Sequence, residues 1–138
     1  MNYDPKKFVF SFFGTPIVGY ADGTGIEFTR DRDMFTKVVG MQGSGTFVKS
    51  NDKSGTFTIT LQQSSPSNDQ LSAIALLDET ANAGVGGVLL KDALGATAIS
   101  SAEARIMKFP DFTVATDLSN NAWGIACLDV DVFIAGNP

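Results

Sequence analysis

The chain has 138 residues, 43% of them apolar, with a net charge of −5 and a pI near 4.5. A chain of this size buries roughly two-thirds of the surface its unfolded form exposes, enough for one domain spanning residues 1–138 without covalent staples. The acidic balance excludes a static nucleic-acid binder, which needs a basic patch to neutralise phosphates, and adsorption to an anionic membrane.

Residues 7–13 (KFVFSFF) are the first expected strand, with Phe8, Phe10 and Phe12 on one face and Val9, Ser11 and Phe13 on the other. Side chains of a strand alternate with a period of two. Apolar residues on both faces point to burial on both sides, or to one face kept for a neighbouring subunit. The run is short for a secretory h-region and lacks a small-x-small cleavage site, so it reads as a strand and not as a leader. Gly14 and Pro16 turn the chain, residues 16–19 continue as a short edge segment, and Ala21-Asp22-Gly23 turn it again. Residues 25–30 (GIEFTR) alternate as the second strand.

From residue 31 to 53 (DRDMFTKVVGMQGSGTFVKSNDK) the pattern weakens. Met34, Phe35, Val38 and Val39 settle on no long periodic face, Gly40, Gly43 and Gly45 make a flexible tip, and residues 46–49 resume strand character. The reading is a long hairpin or loop that projects from the body. Long excursions in a compact domain are functional or disordered. Phe, Val and Met do not make a disordered composition, so a partner surface is expected.

Residues 50–77 carry the clearest local statement: a turn, an alternating strand and a capped helix. Phe57, Ile59 and Leu61 fall on one face of the strand and Thr56, Thr58, Thr60 and Gln62 on the other. Ser65-Pro66 and Ser67 are alternative helix starts. Pro66 would sit at the first helical position, whereas Ser67 with Gln70 would make a capping box. Asp69 complements the macrodipole in the first turn. Leu71, Ile74, Ala75 and Leu77 or Asp78 follow helical spacing, and the helix, over about 66–79, should end before Asn82.

Residues 87–92 form a strand, Ala93-Leu94-Gly95 a turn, and 97–109 a longer strand. In that strand Ala102, Ala104 and Ile106 share one face, with Ser101, Glu103, Arg105 and Met107 on the other. Residues 112–115 are expected as a short strand. Residues 123–135 (WGIACLDVDVFIA) are the last, with an unbroken apolar row of Ala126, Leu128, Val130, Val132 and Ile134.

The chain has no histidine. That removes the commonest general base, the Ser-His and Cys-His dyads and most zinc or copper sites. Cys127, the one cysteine, lies between apolar neighbours in a strand and reads as a buried, inert thiol. The glycines at 40, 43 and 45 spell no phosphate-binding fingerprint. Asp129 and Asp131 should project together from one strand, but the calcium-loop pattern is missing, so they read as a solvent-facing acidic row. No catalytic residue, cofactor or metal is expected.

The opening NYDPKKF, the GTPI that follows, ADGTGIEFTRDRDMFTKVVG, SNDKSGTFTITLQQSSPSND, the LSAIALLDET helix and the late AWGIACLDVDV together resemble the tail tube proteins of contractile-tailed bacteriophages. The similarity runs over nearly the whole chain and is most specific in FTKVVG and KSGTFTITLQQSSPSND. It implies a mainly β fold, an antiparallel β-sandwich or barrel with one flanking helix. It also implies six copies closing into rings that stack into a hollow tube conducting the phage DNA. The partners it implies are the chain itself, a sheath protein, a tape-measure protein, baseplate and terminator proteins, and DNA in transit. In that setting Met34, Phe35, Lys37, Val38, Val39, Met41 and Phe47 are candidates for the contact between rings. Phe8, Phe10, Phe12 and Phe13 are candidates for the contact within a ring, and Glu103, Asp129 and Asp131 for the lumen wall. A tube protein of a related contractile injection system is the nearest alternative. A β-sandwich adhesin or tail-fibre module is more distant, since one Trp and two Tyr supply few aromatics for sugar binding.

Overall fold

The computed structural model describes residues 5–23, 25–93 and 95–136; Leu94, in the expected turn after residue 92, lies outside them. The fold is mainly β, with all strands antiparallel and one α-helix among the described residues. The strands are β1 (Phe8–Phe12), β2 (Thr15–Pro16), β3 (Ile26–Arg30), β4 (Phe35–Val39), β5 (Gly45–Lys49), β6 (Gly55–Gln62), β7 (Gly86–Asp92), β8 (Ala98–Lys108), β9 (Asn120–Leu128) and β10 (Asp131–Phe133); α1 (Ser67–Ala81) lies between β6 and β7. The main sheet runs β2-β1-β7-β8-β9-β6-β3, with β10 also paired to β8, while β4 and β5 form a separate two-stranded sheet.

The main sheet curls over its own core. The segment after β2 is bonded to β1 at one end, where the Ile17 N–H donates to the Phe10 carbonyl at 2.8 Å. At its other end it is bonded to β6, where Ala21 N–H reaches Thr60 O and Gln62 N–H reaches Gly19 O, each at 2.9 Å. Residues 15–21 therefore stitch the two ends of the sheet together into a barrel-like wall. Phe10, Phe12, Phe57, Ile59, Leu61, Leu71, Trp123, Ile125 and Val130 fill it with no exposed surface or almost none.

β6 takes the alternation its sequence carries, with Phe57, Ile59 and Leu61 inward. Its pairing with β9 sets Trp123 beside Ile59 and Ile125 beside Phe57. The buried face of β9 is consequently the odd one, Trp123, Ile125 and Cys127, and not the even row expected from the apolar run. Leu128 and Ile134 of that row are exposed. The expected single strand is also broken, because Asp129 takes φ +44° and the chain resumes as β10, which pairs with the first residues of β8 and no longer with β6. Aspartate tolerates that left-handed conformation better than most side chains.

β8 departs from its expected phase for a related reason. Its register against β7 jumps from Ser101↔Val88 to Ala104↔Gly86, so two residues of β8 oppose one of β7. This bulge resets the alternation. Ile99 and Ser101 are buried before it, Ala104 and Ile106 after it, and Ala102 is turned out. The Ser101 hydroxyl donates to the Leu128 carbonyl, tying the bulge to the break after β9.

Two smaller expectations also change. Phe13 is not the last strand residue; with Gly14 it forms a two-residue turn in which both φ are positive, +56° and +74°. That is the turn geometry which matches the twist of a hairpin. Residues 112–115 form no strand.

The capping box does not form, since the Ser67 hydroxyl accepts the Val18 N–H at 2.9 Å instead. Pro66 is already helical, and the Ser65 hydroxyl accepts the Ser67 N–H at 3.3 Å, which matches the Ser65-Pro66 start. The helix ends at Ala81 with Asn82 left-handed. Its inward face ends on Asp78, which pairs with Arg105 of β8 at 2.8 Å, leaving Leu77 outside.

Candidate assembly surfaces

The largest feature outside the core is the hairpin of β4 and β5. Every residue of both strands is exposed. Register pairs Phe35 with Lys49, Lys37 with Phe47 and Val39 with Gly45, so these six share one face; Thr36, Val38, Thr46 and Val48 share the other. Among the described residues neither face is covered, and both outer edges of the ribbon are unpaired. The tip is closed by the Gly40 N–H bond to Ser44 O at 2.8 Å, with Gly43 at φ +87° and Met41 fully exposed beside it. At the base, Ser50 N–H donates to Met34 O at 2.9 Å and Arg32 pairs with Asp52 at 3.1 Å. Two hydrogen bonds from Ser54, side chain first, and the Arg32 charge hold the Asp52 carboxyl below its ordinary range. The seven expected contact residues are therefore brought together on one exposed element. Its composition is half apolar, with two lysines on the Phe35–Phe47 face.

The β1 candidates separate. Phe10 and Phe12 have 0% exposure and belong to the subunit's own core, so no neighbour reaches them. Phe8 packs against that core and is half-buried. Phe13, in the turn, keeps an exposed ring edge and presses so closely on Gly86 that a Cβ there would overlap its ring. The outward face of this side carries Val9, on the face of the first strand that alternation sets opposite Phe8, Phe10 and Phe12, together with Leu89 of β7 and Phe133 of β10, which that strand's pattern does not reach.

Glu103, Asp129 and Asp131 are all exposed. Glu103 stands opposite Leu128, next in the chain to Asp129, and Asp131 stands opposite Ser100, three residues before Glu103 along β8. The pair at 129 and 131 is nevertheless split between the break and β10, and Asp131 lies 3.6 Å from the Lys53 ammonium. Among the described residues no group of three His, Cys, Asp or Glu side chains is placed to hold a metal ion.

Two further surfaces emerge, one that extends the Thr/Gln face read from the sequence of β6 and one that escaped the sequence reading. One is an uncharged wall: Thr56, Thr58, Thr60 and Gln62 of β6 stand beside Ala126, Gly124, Ala122 and Asn120 of β9. The threonine face was legible, but its continuation in small residues depends on the odd-inward phase of β9. The other is the connection from β8 to β9, where Phe112, Val114 and Leu118 are exposed with no strand around them.

Burial, with a smaller contribution from the Asp31 charge, pushes the Cys127 thiol up to about 11. The Tyr20 hydroxyl is buried without a hydrogen-bond partner, and burial pushes it up to about 12.

The family model described as the bacteriophage PhiTE tail tube protein matches residues 13–135. No curated protein sequence matches the chain. Among solved structures, the fold is similar to the tube-terminating cap of an anti-feeding prophage (TM-score 0.58, 9% identity, 98% of this chain and 94% of the other covered). It is also similar to a chain of the sheath/tube terminator of the PVC extracellular contractile injection system (0.58, 11%, 97% and 98%). A chain of that system's sheath–tube complex in the extended state is similar as well (0.57, 12%, 97% and 93%).

Proposed function

Because the chain belongs to the bacteriophage PhiTE tail tube protein family, a family of structural proteins and not of enzymes, we propose that its copies close into hexameric rings which stack into the hollow inner tube of a contractile tail, the conduit for phage DNA. The observation that carries this reading is the β4–β5 hairpin. A lone two-stranded ribbon is marginally stable in water, and here all ten strand residues are exposed. Covering it with another copy removes apolar surface from water and satisfies open strand edges together.

Ring closure and ring stacking need different contacts. The first closes on itself and the second is open-ended, so one subunit carries two pairs of patches, the members of each pair different and complementary to one another. The hairpin, from Met34 to Phe47, serves stacking. Phe8 and Phe13, with Val9 and Leu89 in place of the buried Phe10 and Phe12, serve the ring. Glu103, Asp129 and Asp131 line or border the lumen, where an acidic or neutral wall repels DNA over about 8 Å at physiological salt instead of gripping it. A sheath protein surrounds the tube, a tape-measure protein occupies it during assembly, and baseplate and terminator proteins close its ends. The tube of a related contractile injection system is the second reading, favoured by the fold likeness to such assemblies.

Negative-stain microscopy of the purified chain tests this directly. Rings or striated tubes are expected; a monodisperse monomer at high concentration overturns the reading. Mapping charge on an assembled tube tests the lumen separately, and a basic bore sinks that assignment.

A further inference from the structure

The hairpin has two open edges among the described residues, and the body carries an exposed segment of strand-like composition. Residues 110–118 (PDFTVATDL) have the composition of a strand, with Phe, Val and two Thr, yet among the described residues no backbone hydrogen bond holds them. Phe112 is 75% and Val114 83% exposed; in an extended conformation they would share one side, with Asp111, Thr113 and Ala115 on the other. Five residues, 111–115, equal the length of β4 and of β5.

Charge distinguishes the partner. Between Arg30 and Lys53 five basic residues stand against three acidic, a net +2, which leaves −7 on the rest of the chain. The hairpin strands carry Lys37 and Lys49 and no acid, while 110–118 carries Asp111 and Asp117 and no base. The two segments are complementary in charge, in apolar character and in unpaired backbone.

We propose that residues 111–115 of one copy add as a third strand to the edge of the β4–β5 hairpin of another copy. The inference rests on the self-assembly reading and identifies what the hairpin docks on. Main-chain bonds supply the affinity, Phe112 and Val114 widen the apolar face of the ribbon, and the lysine–aspartate pairing sets partner and register. Because the donor and acceptor patches differ, the contact is heterologous, and each copy can give a strand to one neighbour and take one from another.

Proline lacks the N–H that strand addition needs, and this segment makes no backbone bond in the subunit. Thr113→Pro and Val114→Pro should therefore melt like the wild type but lose at least tenfold in sedimentable polymer. Asp111→Lys with Asp117→Lys should do the same, and Lys37→Glu with Lys49→Glu in the same chain should restore assembly. In a Cys127→Ser background, Val114→Cys chains mixed with Thr36→Cys or Val48→Cys chains, one for each edge, should give a disulfide dimer between the two populations on oxidation. If wild type builds tubes while both proline variants polymerise equally well and neither mixture cross-links, the strand addition is wrong and the tube reading stands. If the wild type stays monomeric, both fall.

Discussion

The rings of Phe10 and Phe57 lie 5.0 Å apart, although three strands separate β1 from β6 along the sheet. Contact across that distance requires the sheet to curl until its two ends face each other, and Phe28, 4.8 Å from Phe57 on the far side, continues the stack. Phe57→Ala should therefore remove the centre of the core and cost about 3–5 kcal/mol. Thr58→Ala, one residue away on the outer face, should change stability by about 0.5 kcal/mol or less. Urea unfolding of the two variants checks the contrast, and equal losses would contradict the inward assignment.

Closure of the curl depends on Gly19. It sits at φ +79°, and a Cβ there would overlap the Ser65 side chain, whose hydroxyl donates to the Val18 carbonyl at 2.5 Å. Gly19→Ala should destabilise by about 2–3 kcal/mol through backbone strain and displacement of Ser65 together. Gly14, at φ +74° with open space around it, offers the control. Gly14→Ala meets only the conformational penalty, about 1 kcal/mol. Thermal melts that rank the two in the opposite order would refute the close-packed seam.

Stability should fall on the alkaline side. Burial raises the Cys127 thiol from 9.0 to about 11 and the Tyr20 phenol from 10.0 to about 12. Both groups hold their protons more tightly when folded, so stability is full below pH 9, where folded and unfolded chains are both protonated. As pH rises the unfolded chain loses its thiol proton first, and stability declines from pH 9 to about 11, with the phenol extending the decline to about 12. Urea midpoints measured from pH 7 to 11 should trace this fall, and Cys127→Ala should flatten its lower half. A thiol reagent at neutral pH should label Cys127 only as fast as the protein opens.

Deleting residues 40–45 removes the tip of the hairpin while leaving its base, where Arg32 meets Asp52, intact. Rings should still form and tube elongation should fail, as read by electron microscopy and sedimentation. Unimpaired elongation would show that the hairpin is not the stacking element.

Much of this protein is legible without coordinates. The β6 alternation, the presence of one helix soon after β6, the hairpin and the absence of any histidine-based chemistry all follow from short-range pattern and composition, because each depends only on residues near in the chain. What pattern cannot supply is phase. In residues 123–135 both faces are apolar, and only pairing with the Phe57 face of β6 chose Trp123, Ile125 and Cys127 over Ala126 and Leu128. In β8 one extra residue opposite β7 exchanged inside for outside after Ser101, and an aspartate at positive φ ended β9 within an apolar run. The same ambiguity placed Phe10 and Phe12 in the core and left Phe112 and Val114 unpaired. A period of two says that a strand has two faces. Which face is buried is settled by the strand beside it, and that neighbour is chosen by the whole chain.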